Sequence, residues 1–169
     1  MVRIPSGVDQ IGALAFSGCT GITELTFKKG LTVISDEAFK GCTGITELIL
    51  PSTLLSIGEN AFNGCTSLES VTIPNSVKSI GLATFFGCTS LADFTIPNSV
   101  TNVGPSAFSN TSYYNDETNW ENDLLYVDNC LLEAKDTVSN NCTIKDGTRL
   151  IASYAFVFKA TLTTITIPD

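Results

Sequence analysis

Apolar residues recur along the chain with a fixed step of 23 residues. The step is visible in four columns of similar residues, of which one is aromatic, one is cysteine and two are mainly aliphatic. The columns are Phe16, Phe39, Phe62, Phe85 and Phe108; Cys19, Cys42, Cys65 and Cys88; Ile4, Phe27, Leu50, Ile73 and Ile96; and Ile11, Ile34, Ile57, Ile80 and Val103. Such a constant step indicates a repeat protein in which each unit forms one turn of a stack.

Each unit carries signals for two short strands. The alternation in Val71–Ile73 predicts a half-buried strand whose central threonine faces outward. Pro74 ends this strand, because proline has no N–H to donate to a sheet. A second extended stretch is predicted over Val77–Ile80, followed by a turn in which Gly81 adopts a left-handed conformation.

The segment Ala-Phe-x-Gly-Cys predicts a single helical turn, with the phenylalanine pointing inward and the glycine ending the turn. A unit of 23 residues cannot bury its own apolar face, so neighbouring units must share one core. The sequence therefore predicts an α/β repeat solenoid that is rich in β-structure, with a parallel sheet and short helical turns. We expect residues 1–169 to form one domain.

The repeat is interrupted once. Regular units run over residues 1–109, an irregular insert covers residues 110–142, and repeats resume over residues 143–169. Within the insert, Leu124–Val127 and Cys130–Leu132 flank Asp128–Asn129. This arrangement predicts a β-hairpin with a two-residue turn.

The insert also concentrates aromatic residues, namely Tyr113, Tyr114, Trp120 and Tyr126. Tyrosine and tryptophan provide large, stiff contact surfaces with a polar group, and loops on a rigid scaffold often carry binding residues. These four residues are therefore candidate ligand-binding residues. The alternative is that they hold the long insert against the repeats.

A column of acidic residues, Glu24, Glu47 and Asp93, precedes the first strand of its unit and is predicted to face outward on the sheet, although Ser70 interrupts it. This column could bind a cation or a basic partner. Alternatively, the charges keep the sheet face solvated and discourage association. The outward threonines of the same strands could match a glycan, but the β-propensity of threonine explains them equally well.

The cysteine column favours buried free thiols that act as small apolar side chains. A stack of disulfides or metal ligands is the alternative, but parallel side chains one strand apart approach each other poorly for a disulfide. Cys130 and Cys142 lie outside the column and could form a disulfide with each other.

Composition narrows the function. Hydrophobic residues make up 43% of the chain and charged residues 15%, which is typical of a folded protein. The net charge of −8 disfavours nucleic acid and anionic membrane surfaces as partners. Histidine is absent, which excludes histidine-dependent nucleophiles and histidine-ligated metal sites. No apolar run approaches the ~20 residues that span a bilayer, no signal peptide is visible, and we expect no cofactor or metal.

The unit Leu-x-x-h-x-h-Pro, where h is apolar, followed by Ile-Gly-x-x-Ala-Phe-x-Gly-Cys, resembles the BspA-like leucine-rich repeat family of bacterial and protist cell-surface proteins. The resemblance implies a leucine-rich-repeat-like solenoid with a parallel sheet on one face. It also implies an extracellular or cell-surface location and a role in adhesion or ligand binding. A host extracellular-matrix protein such as fibronectin, or a surface glycan, is the implied partner. The repeat motif contains no catalytic residues, so we expect no enzyme.

Three functions remain open from the sequence. The first is a surface-displayed binding or adhesion module, and the second is a structural spacer or assembly element. The third is a glycan hydrolase that uses a pair of carboxylates, and it ranks last because no two acidic residues stand out in a pocket-forming context. Substitution of Glu24 and Glu47 tests that pair. Ile4-Pro5 and Ile167-Pro168 occupy the same phase of the repeat, so we expect a fragment of a longer array, or ends covered by a partner or by end-to-end self-association.

Overall fold

The computed structural model describes residues 1–168, and its repeats place short strands in two columns along the stack. The first strand column contains β1 (Val2–Ile4), β3 (Leu25–Phe27), β5 (Glu47–Ile49), β7 (Ser70–Thr72), β9 (Asp93–Phe94), β14 (Asn141–Thr143) and β16 (Thr164–Thr166). The second strand column contains β2 (Gln10–Ile11), β4 (Val33–Ile34), β6 (Ser56–Ile57), β8 (Ser79–Ile80), β10 (Asn102–Val103) and β15 (Leu150–Ile151).

Paired strands from consecutive repeats run parallel, and each strand is offset from its partner by one repeat. In the second column, for example, Ile34 is paired with Ile57, and Ile57 is paired with Ile80. The strands β2, β4, β6, β8 and β10 form one continuous sheet. The first column is divided, because β1 and β3 form one sheet and β5, β7 and β9 form another. The parallel stacking predicted from the 23-residue step is confirmed.

The core is a ladder of phenylalanine rings. Consecutive rings from Phe16 to Phe108 stack with centroids 5.1–5.6 Å apart. The backbone joins the turns at the same level, since the Phe62 N–H donates to the Thr84 carbonyl at 2.9 Å. The predicted inward position of the phenylalanines is confirmed.

The cysteine column lies beside this ladder, and all six cysteines of the chain are free thiols. The Cys65 thiol donates to the Phe39 carbonyl at 3.3 Å. Burial raises the pKa of the Cys42 thiol to about 11. Cys130 and Cys142 belong to two separate hydrophobic clusters, so the disulfide that the sequence left open between them is not formed. The prediction of buried free thiols is confirmed except at Cys19, which is exposed.

The predicted helical turns are wrong for the repeats, and the α/β class is right only in its β part. The helical segments of residues 1–168 are α1 (Ser112–Asn115) and a 3₁₀-helix (Glu117–Asn119), both in the insert. In the repeat, Asn60 and Gly64 adopt left-handed conformations with φ of 54° and 72°. The N–H groups of Asn60, Phe62 and Gly64 donate to carbonyls of the next repeat, so they are not available for a helix. The fold is a β-solenoid with leucine-rich-repeat-like turns.

The left-handed conformation predicted for Gly81 is also wrong. The positive φ lies two residues later, at Ala83. Gly81 is needed for a different reason: a Cβ atom there would lie 2.6 Å from the carbonyl carbon of Gly58 in the preceding repeat. Consecutive turns therefore touch backbone to backbone at this position.

The insert adds three strands, β11 (Trp120–Glu121), β12 (Leu124–Val127) and β13 (Cys130–Ala134). β12 and β13 are antiparallel, with Val127 paired to Cys130, which confirms the predicted hairpin and its two-residue turn. β13 then pairs in parallel with β15, so the hairpin is tied into the stack. Within residues 1–168, no helix combines the length and apolarity needed to cross a bilayer.

Candidate functional site

Two of the four aromatic candidates, Tyr113 and Tyr126, form contacts that hold the insert against the repeats. The Tyr113 ring packs edge-on against Phe94, with centroids 5.2 Å apart, and its hydroxyl donates to the Tyr126 carbonyl at 2.8 Å. Tyr126 is buried, and its hydroxyl accepts a hydrogen bond from the Lys145 N–H at 3.0 Å. Both side chains therefore form internal contacts.

The other two aromatic candidates pack against each other. The Tyr114 and Trp120 rings meet edge to face with centroids 5.2 Å apart, and the Trp120 Nε1–H donates to the Tyr114 carbonyl at 2.8 Å. The Tyr114 hydroxyl donates to the Glu133 carboxylate at 3.2 Å. Burial and the nearby Glu133 charge raise the pKa of Tyr114 to about 12. The Lys135 ammonium lies 4.7 Å from the Trp120 ring centroid. The Tyr114 hydroxyl and the Trp120 Nε1–H therefore also form hydrogen bonds within the protein. Both side chains are half-buried.

The acidic column lies on the outward side of the first strand column. Glu24 directly precedes β3, Glu47 begins β5, and both side chains are exposed. Asp93 begins β9 and is paired with Ser70, which is in turn paired with Glu47. Asp93 therefore lies two strands away from Glu47, at ~10 Å by the usual strand spacing.

A groove opens between β3 and β5, at the break in the first strand column. It has a volume of about 460 Å³. We name it the β3–β5 groove, and it is lined by Thr23, Glu24, Leu25, Thr26, Phe27, Thr46, Glu47 and Ile49. The structure thus brings Glu24 and Glu47 to the same groove, and it places Asp93 and the aromatic insert residues elsewhere.

The sequence after β3 differs from that of the neighbouring repeats. Other repeats have a proline shortly after the first strand, as at Pro51 and Pro74. This repeat has Lys28 at the same position. The Lys28 N–H donates to the Ile4 carbonyl at 2.9 Å, a bond that proline cannot make. This hydrogen bond ties the end of β3 to the preceding repeat.

Sequence reasoning missed two residues of the groove. Phe27 is half-buried and packs edge-on against Phe39, with centroids 6.4 Å apart. Ile49 is 59% exposed and stands in the outward column that threonine occupies at Thr26 and Thr72. Two signals were present in the sequence, namely the isoleucine in a threonine column and the lysine in a proline position.

Comparison with known proteins agrees with the repeat and its geometry. The model of the BspA type leucine rich repeat region matches residues 1–115 in six copies. The chain belongs to the BspA-type leucine-rich repeat family. Among curated proteins, none matches this BspA-type chain significantly.

Solved structures similar to this BspA-type chain are also bacterial repeat proteins. The leucine-rich repeat protein of T. pallidum is 34% identical over 64% of the chain, with a TM-score of 0.62. A leucine-rich cell surface protein of Faecalibacterium prausnitzii is 25% identical over 99% of the chain, with a TM-score of 0.58. The pneumococcal vaccine antigen PcpA shares the fold at 22% identity over 99% of the chain, with a TM-score of 0.59.

The chain spans about half the length of these three proteins, since the matches cover 53%, 54% and 44% of them. Their family and fold are those of leucine-rich repeat proteins.

Proposed function

We propose that the chain is a non-catalytic binding module, displayed outside a bacterial cell, that docks a protein partner in the β3–β5 groove. The groove is the observation that carries the proposal, because it joins exposed carboxylates and accessible apolar side chains at a break in the sheet. Its volume falls within the ~300–1,000 Å³ that is typical of ligand pockets. The stacked repeats on either side hold the groove in a fixed shape.

The relatives support a location outside the cell. The F. prausnitzii relative is a cell surface protein, and the pneumococcal protein is a vaccine antigen. We extend the surface location of the former to this chain. Adhesion to a host extracellular-matrix protein is the specific role that we propose, with a surface glycan as the alternative that the same experiment tests.

The aromatic insert is the weaker candidate for the site. The hydroxyl groups of Tyr113, Tyr114 and Tyr126 and the indole N–H of Trp120 all take part in hydrogen bonds within the protein. A ligand that used these polar groups would have to displace internal hydrogen bonds, at a cost of about 1 kcal/mol or more for each. The groove carries no such cost at its carboxylates, because the four ion pairs formed by residues 1–168 involve other acidic residues.

The test is label-free binding of the purified, folded monomer to a panel of extracellular-matrix proteins and polysaccharides. We expect saturable binding to at least one protein, and about tenfold weaker binding by the double variant Glu24→Gln/Glu47→Gln, since each loses a charged contact. Asp93→Asn is the matched control, because it removes a charge from the same column outside the groove. We expect its affinity to equal that of the wild type.

Three outcomes would overturn the proposal. If Trp120→Phe lost binding while the groove variants kept their affinity, the binding site would lie in the insert. A folded monomer that binds nothing would favour the structural spacer. Release of sugar from a polysaccharide, abolished in Glu24→Gln/Glu47→Gln, would replace binding with carboxylate-pair hydrolysis.

A further inference from the structure

We infer that the β3–β5 groove binds a lysine or arginine side chain of the partner protein, together with an adjacent apolar residue. This inference rests on the proposed function and names the chemistry of the partner. It depends on the two carboxylates, on the apolar lining, and on the volume of the groove.

The carboxylates stand on the two sides of the opening. Glu24 belongs to the β3 side and Glu47 to the β5 side, and both line the same volume. A lysine or arginine cation between them can donate hydrogen bonds to both carboxylates, and charge-assisted hydrogen bonds of this type are stronger than neutral ones. The chain as a whole carries a net charge of −8, which also attracts a basic partner.

The apolar lining suits the long stems of lysine and arginine. Leu25 and Phe27 line the groove from the β3 side, and Ile49 lines it from the β5 side. Lysine and arginine bury their methylene groups on apolar surface while the charged group reaches a polar site. An aromatic ring beside a cation adds a further attraction. A small inorganic cation would leave this apolar surface unused.

The volume of the groove indicates a peptide segment rather than a free amino acid. The groove of about 460 Å³ has room for more than one side chain, and Ile49 offers a contact for the residue next to the cation.

The neighbouring repeats lack this combination. On β7, Ser70 stands at the position of the acidic residue and Thr72 at the position of the isoleucine. β5, β7 and β9 are paired in one continuous sheet. Asp93 on β9 is therefore an exposed carboxylate without a groove. The contrast makes Asp93 a control for charge alone.

The experiment is a titration of the isotope-labelled protein, followed by NMR, with the peptide acetyl-Ile-Arg-Ile-amide. The comparison peptide replaces arginine with citrulline, which keeps the shape and removes the charge. We expect shifts centred on Leu25, Phe27 and Ile49 with the arginine peptide, and about tenfold weaker binding of the citrulline peptide. The double variant Glu24→Gln/Glu47→Gln should bind the arginine peptide more weakly by a similar factor. The variant Asp93→Asn should bind it with unchanged affinity.

Two further variants sharpen the result. Ile49→Thr introduces the threonine that other repeats have at this position. We expect this variant to bind the peptide more weakly without a change in the fold. Arg3 lies on the neighbouring strand β1, where it is paired with the groove residue Thr26. Arg3→Gln should strengthen peptide binding if the groove recognises positive charge. Equal binding of both peptides, or shifts elsewhere on the protein, would overturn the inference.

The outcomes also separate this inference from the proposed function. If a matrix protein binds through the groove but the arginine peptide neither binds nor competes, the function stands and the basic-residue inference fails. If the arginine peptide binds in the groove but no matrix protein does, the chemistry of the groove stands and the proposed matrix-protein adhesion fails. Competition between the two ligands supports both.

Discussion

The tyrosine that faces Glu133 shows how a single residue stabilises the insert. The Tyr114 hydroxyl donates to the Glu133 carboxylate at 3.2 Å, which is favourable only while the phenol keeps its proton. Burial and the Glu133 charge raise the pKa of Tyr114 from 10.0 to about 12. Since the folded state holds this proton more tightly than the unfolded chain, the contribution of Tyr114 is complete below pH 10 and is lost as the pH rises towards about 12.

We therefore expect the difference in unfolding free energy between wild type and Tyr114→Phe to shrink between pH 10 and about pH 12. Urea unfolding of both proteins at neutral pH and within this window measures the difference. Glu133→Gln is the control, because it removes the charge that raises the pKa of Tyr114 and should narrow the window. A difference that stays constant with pH would contradict the assignment of this hydrogen bond.

At the scale of the repeat element, glycines act for two distinct reasons. A Cβ atom at Gly81 would lie 2.6 Å from the carbonyl carbon of Gly58, and backbone cannot move aside there. At Gly87, by contrast, a Cβ atom has ordinary space, but φ is +69°. A left-handed conformation costs an L-residue roughly 1–2 kcal/mol, whereas overpacking costs roughly 1–3 kcal/mol or more.

We expect Gly81→Ala to lower the free energy of unfolding by about 3 kcal/mol and Gly87→Ala by about 1 kcal/mol. Gly7→Ala is the matched control, since nothing lies within 4 Å of its Cβ position and its φ is not left-handed. That variant should stay within about 0.5 kcal/mol of wild type. Urea denaturation ranks the three, and a larger loss in Gly87→Ala than in Gly81→Ala would show that the turns do not touch at Gly81.

The repeat elements also show what the sequence can and cannot predict. The strand columns and the hairpin at Asp128–Asn129 depend on local pattern, so both were predicted. The left-handed conformation of Glu37 was not, because glutamate is not among the residue types that favour a positive φ. The β3–β5 groove depends on how far β3 lies from β5, which is a property of packing between repeats and not of the local pattern. Only the departures from the repeat, Lys28 and Ile49, pointed to it.

At the scale of the whole molecule, the apolar surface is concentrated at one end of the stack. The last repeat of residues 1–168 exposes several large apolar side chains, among them Ile165 and Ile167, whose counterparts Phe94 and Ile96 are buried. Phe158 is 93% exposed and adopts a φ of 57°, at the position that Gly87 takes in an earlier repeat. Tyr154, Ile165 and Ile167 are exposed around it. Exposed strand edges with apolar side chains favour pairing with another chain.

We therefore expect this polypeptide of 169 residues to self-associate through that end as its concentration rises. The net charge of −8 opposes association, so added salt should strengthen it by screening the repulsion between copies. Sedimentation velocity over a series of concentrations, at low and high salt, measures both effects. Phe158→Asp should remain monomeric throughout. Leu55→Asp alters an exposed leucine on the side of an interior repeat and should associate like the wild type. A wild type that stays monomeric at every concentration, or equal suppression by Leu55→Asp, would show that the apolar end does not drive association.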